Sequence, residues 1–157
     1  MGHYDVAQIC LRGHVIAASA GSSPQFRQEF CDRCGERTAM ECLECQSPIR
    51  GYYSGGLAIS YDRPTYCHAC GKPYPWTKRS LQAARDLADE LDELTSEERE
   101  KLKGTLDDVI RDTPQAQTAA VRFKRYVAKA GPVAGQSFRE ILTDILSEAA
   151  RKTIWGG

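Results

Sequence analysis

The 157-residue sequence predicts an α+β chain in two parts. Tandem ribbons of short β-hairpins occupy residues 1–76, and a helical domain of about four helices follows over residues 77–157. Three observations predict this. All seven cysteines lie at or before Cys70, six of them as the pairs Cys31/Cys34, Cys42/Cys45 and Cys67/Cys70. Composition changes near Trp76, from cysteine, glycine, proline and aromatic residues to alternating charges interspersed with Leu, Ala and Ile. In that second part the apolar residues recur at i, i+3, i+4 and i+7, the period of a helix with one buried face.

In chain order, the segment 3–10 reads as a strand leading to a first turn at Cys10–His14, and 14–20 leaves it as a second strand. Residues 21–25, GSSPQ, form a loop, and the Cys31/Cys34 turn follows. Residues 38–53 repeat the theme through Cys42/Cys45 and on to the aromatic run Tyr52-Tyr53. Ser54-Gly55-Gly56 is a hairpin-type turn, with 57–64 returning as a strand to Cys67/Cys70. Units this short bury too little apolar surface to fold unaided.

The first helix is expected from about Thr77 to Leu94, burying Leu81, Ala84, Leu87, Ala88, Leu91 and Leu94. Thr95-Ser96-Glu97-Glu98 has the pattern of a capping box, in which the first side chain and the fourth satisfy each other's backbone N–H groups. The helix it opens carries Leu102, Leu106, Val109 and Ile110. Thr113-Pro114 reads as an N-cap with proline at the first helical position. Its helix buries Ala116, Ala119, Ala120, Phe123 and Val127 and stops at Gly131. One last helix then carries Phe138, Ile141, Leu142, Ile145, Leu146, Ala149 and Ile154 along one face.

The cysteines set the chemistry. Cys10 is followed four residues later by His14, so the chain offers four pairs of soft donors. An odd cysteine count, no basic n-region with a clean apolar stretch, and knuckle spacing all favour metal over disulfides. Thiolate and imidazole donors in fours suit zinc. Chain order assigns Cys10, His14, Cys31 and Cys34 to one site, and Cys42, Cys45, Cys67 and Cys70 to the other, giving two zinc ions per chain. Glycine directly after Cys34 and Cys70 permits the tight positive-φ turn such knuckles need. His3 or His68 in place of His14, and a crossed pairing of the knuckles, remain open. Closed four-donor sites are structural, because no position is left for water or substrate.

Neutral formal charge, 21 basic and 21 acidic residues, argues against a general nucleic-acid binder. There is no glycine-rich phosphate loop, no His-Glu-x-x-His and no Ser/His/Asp set, so an enzyme is not expected. The paired cysteines resemble those of double zinc-ribbon proteins of bacteria. The strings MGHYDVAQICLRGHVI, FCDRCGERT, SPIRGYY, CHACGKPYPWT and TPQAQTAAVRFKRYVAKAG more closely resemble a bacterial family known only as a domain of unknown function. That resemblance implies metal-bound ribbons followed by a helical tail, and implies no activity.

The expected function is a cytoplasmic, non-enzymatic adaptor that binds a protein partner or itself. Tyr52, Tyr53, Tyr61, Tyr66, Tyr74 and Trp76 are its candidate contacts, since Tyr and Trp are favoured at binding hot spots; the same residues also suit the cores of small ribbons. Nucleic-acid binding is the first alternative, through Arg122, Lys124, Arg125 and Lys129 with Phe123 and Tyr126 between them. Attachment to a membrane surface through the last helix is the second, disfavoured by Glu140, Asp144 and Glu148 on its polar face.

Overall fold

A computed structural model describes residues 2–55 and 60–156. The chain divides into two compact units, Met1–Arg79 and Ser80–Gly157. Among the described residues the first holds five short strands: β1 (Tyr4–Val6), β2 (Gln8–Cys10), β3 (Val15–Ala17), β4 (Thr38–Ala39) and β5 (Arg50–Tyr53). They form an antiparallel β1–β5 pair and a three-stranded antiparallel sheet in the order β3-β2-β4. The expected single strand over 3–10 is therefore two. The chain changes sheets at Ala7, whose N–H donates to the Ile49 carbonyl at 2.9 Å. This switch lets one short segment pin both sheets.

Gly51 makes the pairing possible. A side chain there would collide with the Ala18 carbonyl, and Tyr52 N–H donates to that same carbonyl at 2.8 Å. Gln8, buried on β2, holds the loop before the Cys31 turn. Its amide donates to the Gln28 carbonyl at 2.7 Å and to Thr38 Oγ1 at 2.9 Å, and its Oε1 accepts from Gln28 N–H at 2.9 Å. A buried amide this well satisfied orders a loop that has little apolar surface of its own. The end of the expected loop 21–25 joins Phe26 in a short 3-10 turn, Pro24–Phe26. Of the expected strand over 57–64, residues 57–59 lie outside the described residues, as does Gly56 of the preceding turn; residues 60–64 are irregular.

The core of this unit gathers Ala7, Ile9, Ile49, Tyr74 and Trp76 with Cys42 and Cys67. Tyr74 and Trp76, expected as possible contact residues, are almost wholly buried, and their rings stack at 4.6 Å with 18° between planes. Tyr53 is exposed, and Tyr52, Tyr61 and Tyr66 are half-buried.

Five helices follow: α1 (Pro75–Asp89), α2 (Ser96–Val109), α3 (Gln115–Ala130), α4 (Pro132–Leu142) and α5 (Glu148–Trp155). Three details differ from expectation, each with a local cause. First, α1 ends at Asp89 rather than Leu94. Asp89, Glu90, Asp92 and Glu93 put negative charge where the helix dipole is already negative. Residues 90–94 turn instead, and Leu91 and Leu94 are still buried. Second, Thr113 does not cap α3 with its side chain. Pro114 takes helical angles just before the helix, and no side-chain cap bond forms. Third, the expected single last helix is two, which makes the count five.

The break falls at residues 143–147. Ser147 restarts the helix, its hydroxyl accepting from Ala150 N–H at 3.2 Å while its own N–H donates to the Val109 carbonyl at 3.0 Å. The interruption shifts the helical phase, so Ala150 is buried and Ala149, expected in the core, is exposed. Replacing Ser147 by Ala should lower stability by about 1 kcal/mol, the usual cost of losing an N-cap, measured by urea denaturation. An unchanged midpoint would mean the cap carries nothing.

The capping box at Thr95 and Glu98 forms in both directions, at 3.1 and 2.9 Å. Gly131 ends α3 with φ of 103°. Ala116, Ala119, Ala120, Phe123 and Val127 are all buried, and Phe123 meets Phe138 edge-on at 5.3 Å. Among the described residues no helix is long and apolar enough to cross a membrane.

Candidate metal centre

Four turns of one design carry the paired donors. In the three Cys-x-x-Cys turns the N–H of the first cysteine donates to a carbonyl two residues beyond the second, Cys31 to Glu36 (2.8 Å), Cys42 to Ser47 (2.8 Å) and Cys67 to Lys72 (2.9 Å), and in the first turn Cys10 N–H donates to the carbonyl of His14 itself (2.9 Å). In all four, the carbonyl of the leading cysteine accepts from Gly35, Gln46, Gly71 or Gly13 within the same turn. These four residues hold the positive φ that closes the turn: 77°, 62°, 75° and 99°. The three Cys-x-x-Cys turns are also flanked by matching antiparallel bridges, Phe30 with Arg37, Glu41 with Pro48 and Tyr66 with Pro73. Sequence repetition thus becomes structural repetition.

Gln46 breaks the glycine pattern. A residue with a Cβ in left-handed backbone is strained by roughly 1–2 kcal/mol, partly offset when glycine's extra chain entropy is counted. Gln46→Gly is therefore expected to stabilise the chain by about 0.5–1 kcal/mol. Gly71→Gln should destabilise it by a similar amount, since a side chain at 71 meets no neighbour within 4 Å. Paired denaturant melts would check both, and equal midpoints would refute the strain.

The turns bring eight residues into two groups of four. Cys10, His14, Cys31 and Cys34 form one, and Cys42, Cys45, Cys67 and Cys70 the other, with the donor atoms of each group within 4.8 Å of one another. His14 joins the first group through Nδ1, 3.5 Å from both Cys10 Sγ and Cys31 Sγ. Cys10 and Cys34 sulfurs are 3.8 Å apart, Cys42 and Cys70 3.8 Å, and Cys45 and Cys67 3.7 Å. All seven cysteines are free thiols. Neither alternative histidine is in a group: His3 Nδ1 lies 3.0 Å from Ser54 Oγ, and His68 faces solvent between Cys67 and Cys70. The donors group by consecutive knuckles, first with second and third with fourth, rather than crossed.

These distances test whether a metal fits. A tetrahedron with Zn–S arms of about 2.3 Å has S–S edges of about 3.8 Å, and with one Zn–N arm of about 2.0–2.1 Å an S–N edge of about 3.5 Å. The five separations given above match these values. A disulfide, at about 2.05 Å, is far shorter. The donor chemistry agrees with the geometry, and backbone N–H groups support the sulfurs: His14 to Cys10 at 3.3 Å, Arg33 to Cys31 at 3.4 Å and Ala69 to Cys67 at 3.4 Å.

Protonation is biased toward the ligand forms at several of these groups. Burial lowers the pKa of His14, and the cations Arg33, Arg63 and Arg12 lower it further, keeping the imidazole neutral. For Cys67, burial opposes ionisation, but backbone N–H groups of Cys70 and Ala69 and the thiols of Cys45 and Cys70 outweigh it and bring the pKa to about 6. Hydrogen bonds from Ser47 lower Cys45. Cys70 receives a backbone N–H from Lys72, yet burial and the thiols of Cys42, Cys67 and Cys45 push it up to about 11. Four thiols this close cannot all ionise without a cation between them.

Tyr74 supplies a detail the sequence did not reveal. Its hydroxyl is buried and makes no hydrogen bond of ordinary geometry among the described residues. Burial, followed by the influence of the Cys67 and Cys42 thiols, holds its pKa well above the ordinary phenol value. A protonated hydroxyl beside the Cys67 sulfur is placed to support it as a thiolate, the outer-shell support that metal sites commonly carry. Gly13 is a second. A side chain there would strike Trp76 Cβ and the Arg63 guanidinium, and Arg63 Nη1 donates to the Gly13 carbonyl. Its glycine was legible as a turn residue; the close approach was not.

No curated protein and no solved structure matches this chain. A family profile described as an uncharacterised protein conserved in bacteria, DUF2321, matches residues 3–154. That span covers both four-donor groups and the helices up to Ile154 in α5, and the chain belongs to the DUF2321 family of bacterial proteins.

Proposed function

We propose that this protein is a non-enzymatic interaction module whose first unit is held together by two structural zinc ions. The observation that carries the reading is the match between donor separations and the edges of zinc-sized tetrahedra. Each group supplies four donors, which fills the shell zinc prefers and leaves no place for a reacting water. Zinc bound there would supply folding free energy and fix the spatial relation of the hairpins. The donor groups need reduced thiols, so the proposed setting is the cytoplasm.

A protein partner, or a second copy, is the proposed target. Support comes from apolar side chains that the first unit leaves in solvent: Phe26 is 60% exposed, Leu43 56% and Phe30 49%. Leu43 sits inside the Cys42–Cys45 turn and Phe30 directly before Cys31, so bound metal would hold both rigid. Preorganised apolar anchors reduce the entropy lost on association.

Elemental analysis with intact-complex mass determination tests the reading. Two zinc ions per chain with thiols unreactive to Ellman's reagent are expected; none, with seven reactive thiols, would overturn it. Light scattering then separates self-association from a free monomer. Phe30→Ser with Leu43→Ser should leave metal content unchanged and abolish any self-association or co-purified partner.

A further inference from the structure

The groove along the seam of α2 and α3 is lined in part by polar side chains without a partner among the described residues; of its other lining groups, Lys101 pairs with Glu97 at 3.1 Å and Thr105 Oγ1 donates to the Leu102 carbonyl at 2.7 Å. It encloses about 830 Å³, within the size range of small-molecule sites. Several neighbouring cations are committed: Lys103 on α2 to Asp89 at 2.8 Å, Arg85 on α1 to Asp107 at 3.2 Å, and Lys129 on α3 to Glu98 at 2.6 Å. Arg122 and Arg125, both on the groove, meet no carboxylate among the described residues. Asp108, Gln115, Thr118 and Tyr126 line it too, and none has a side-chain hydrogen bond among those residues.

Gly104 is the independent observation. It lies in the interior of α2, where glycine is the least favourable residue after proline. A Cβ there would meet nothing within 4 Å, so the chain's own packing does not call for it. Its effect is to leave bare backbone on the wall of the groove, which suits close approach by something from outside.

The lining is also polarised. The short connection 110–114 and the Glu98–Lys129 pair make α2 and α3 antiparallel. Lys101 and Asp108 are then about 10 Å apart at 1.5 Å per residue. One end holds Lys101, Arg125 and the Tyr126 hydroxyl, with Arg122 between; the other holds Asp108, Gln115 and Thr118. Guanidinium forks select phosphate. A carboxylate with an amide and a hydroxyl selects alcohol groups.

The geometry points to a binding site in the α2–α3 groove for a small phosphate ester with a hydroxylated body, of sugar-phosphate or mononucleotide size. The phosphate sits on Arg122 and Arg125, and the body lies over Gly104 with its hydroxyls on Asp108, Gln115 and Thr118.

Amide and side-chain NMR shifts of the intact, metal-replete protein test this with ribose 5-phosphate and AMP as probes. Ribose, adenosine, inorganic phosphate and a single-stranded oligonucleotide serve as controls. Saturable shifts at Gly104 and Thr118 with at least one ester are expected. They should weaken by about tenfold or more in Arg122→Gln/Arg125→Gln, which removes two charge-assisted contacts. Gly104→Leu, a better helix former that fills the groove, should abolish them while the remaining spectrum reports an intact fold. No saturable shift at millimolar ester would overturn the site. So would inorganic phosphate binding as tightly as both esters, which would leave the hydroxylated body no role. Oligonucleotide binding that survives Gly104→Leu, with no ester binding, would replace the site with an exposed nucleic-acid surface.

Discussion

Stripping metal from the intact chain with a strong chelator is expected to unfold the first unit while most of the helical signal persists. Structural zinc sites of this kind contribute apparent free energies of about 10–16 kcal/mol each in zinc-finger peptides at neutral pH. A small domain without that contribution is marginal. The strands here run two to four residues, and much of the backbone pairing lies within the four donor turns themselves. The second unit has a different basis: buried Leu102, Leu106, Val109, Phe123, Phe138 and Leu142 pack without any donor group. Near-ultraviolet circular dichroism of the buried Tyr74–Trp76 stack should vanish on chelation, and the 222 nm helical signal should fall only modestly. Coincident loss of both signals would show that the helices depend on the metal; no change in either would remove metal from the account of the fold.

Single substitutions sharpen that expectation. Cys67→Ser and Cys10→Ser should each cost one metal equivalent, because a serine hydroxyl does not ionise near neutral pH. His14→Ala should cost one as well, whereas His3→Ala and His68→Ala should cost none. Acid should act in the same direction. The pKa of His14 is lowered in the folded chain from 6.5, so the folded state binds fewer protons there than the unfolded state. Its contribution to stability is complete above about 6.5 and is lost as pH falls toward the lowered folded value. Metal release, which requires protonation of the same ligands, should therefore steepen below that pH. A His14→Ala chain would lack this part of the pH dependence.

The donor groups were legible because spacing alone constrains them: a Cys-x-x-Cys turn can present both sulfurs to one ion whatever surrounds it. The Gln46 strain was also present in the sequence, as the one knuckle of three without glycine after its second cysteine. The switch of sheets at Ala7 was not, because strand periodicity over 3–10 continues smoothly through it and only the positions of β4 and β5 interrupt it. The break between α4 and α5 was hidden for a similar reason. Ile141, Leu142, Ile145 and Leu146 keep helical spacing across residues that are not helical, and the signal was Ser147-Glu148, an N-cap and an acidic first turn, which the apolar stripe masked. The end of α1 was readable in electrostatics rather than periodicity, in the acidic run from Asp89 to Glu93. Burial of Tyr74 and Trp76 depended on long-range packing that no local pattern encodes.

Replacing Trp76 by Ala is expected to cost about 3–5 kcal/mol, as for other buried large-to-small aromatic changes, and to loosen metal at the second donor group. Trp76 is 1% exposed, stacks on Tyr74, and donates from Nε1 to the Pro64 carbonyl at 2.9 Å. It shares its core with Cys42 and Cys67, so the indole forms part of the apolar wall that keeps water from those sulfurs. Its removal would leave a cavity beside them, free the Tyr74 ring to move, and admit solvent and chelator. Transfer of metal to a chromogenic chelator should then become biphasic, with one equivalent released markedly faster than in the unsubstituted chain. Trp76→Phe separates packing from hydrogen bonding: it keeps most of the ring volume and loses only the Nε1 donor, so it should cost about 1–2 kcal/mol and leave release slow. Equal acceleration of both equivalents in Trp76→Ala would mean that the residue stabilises the unit as a whole rather than shielding one donor group.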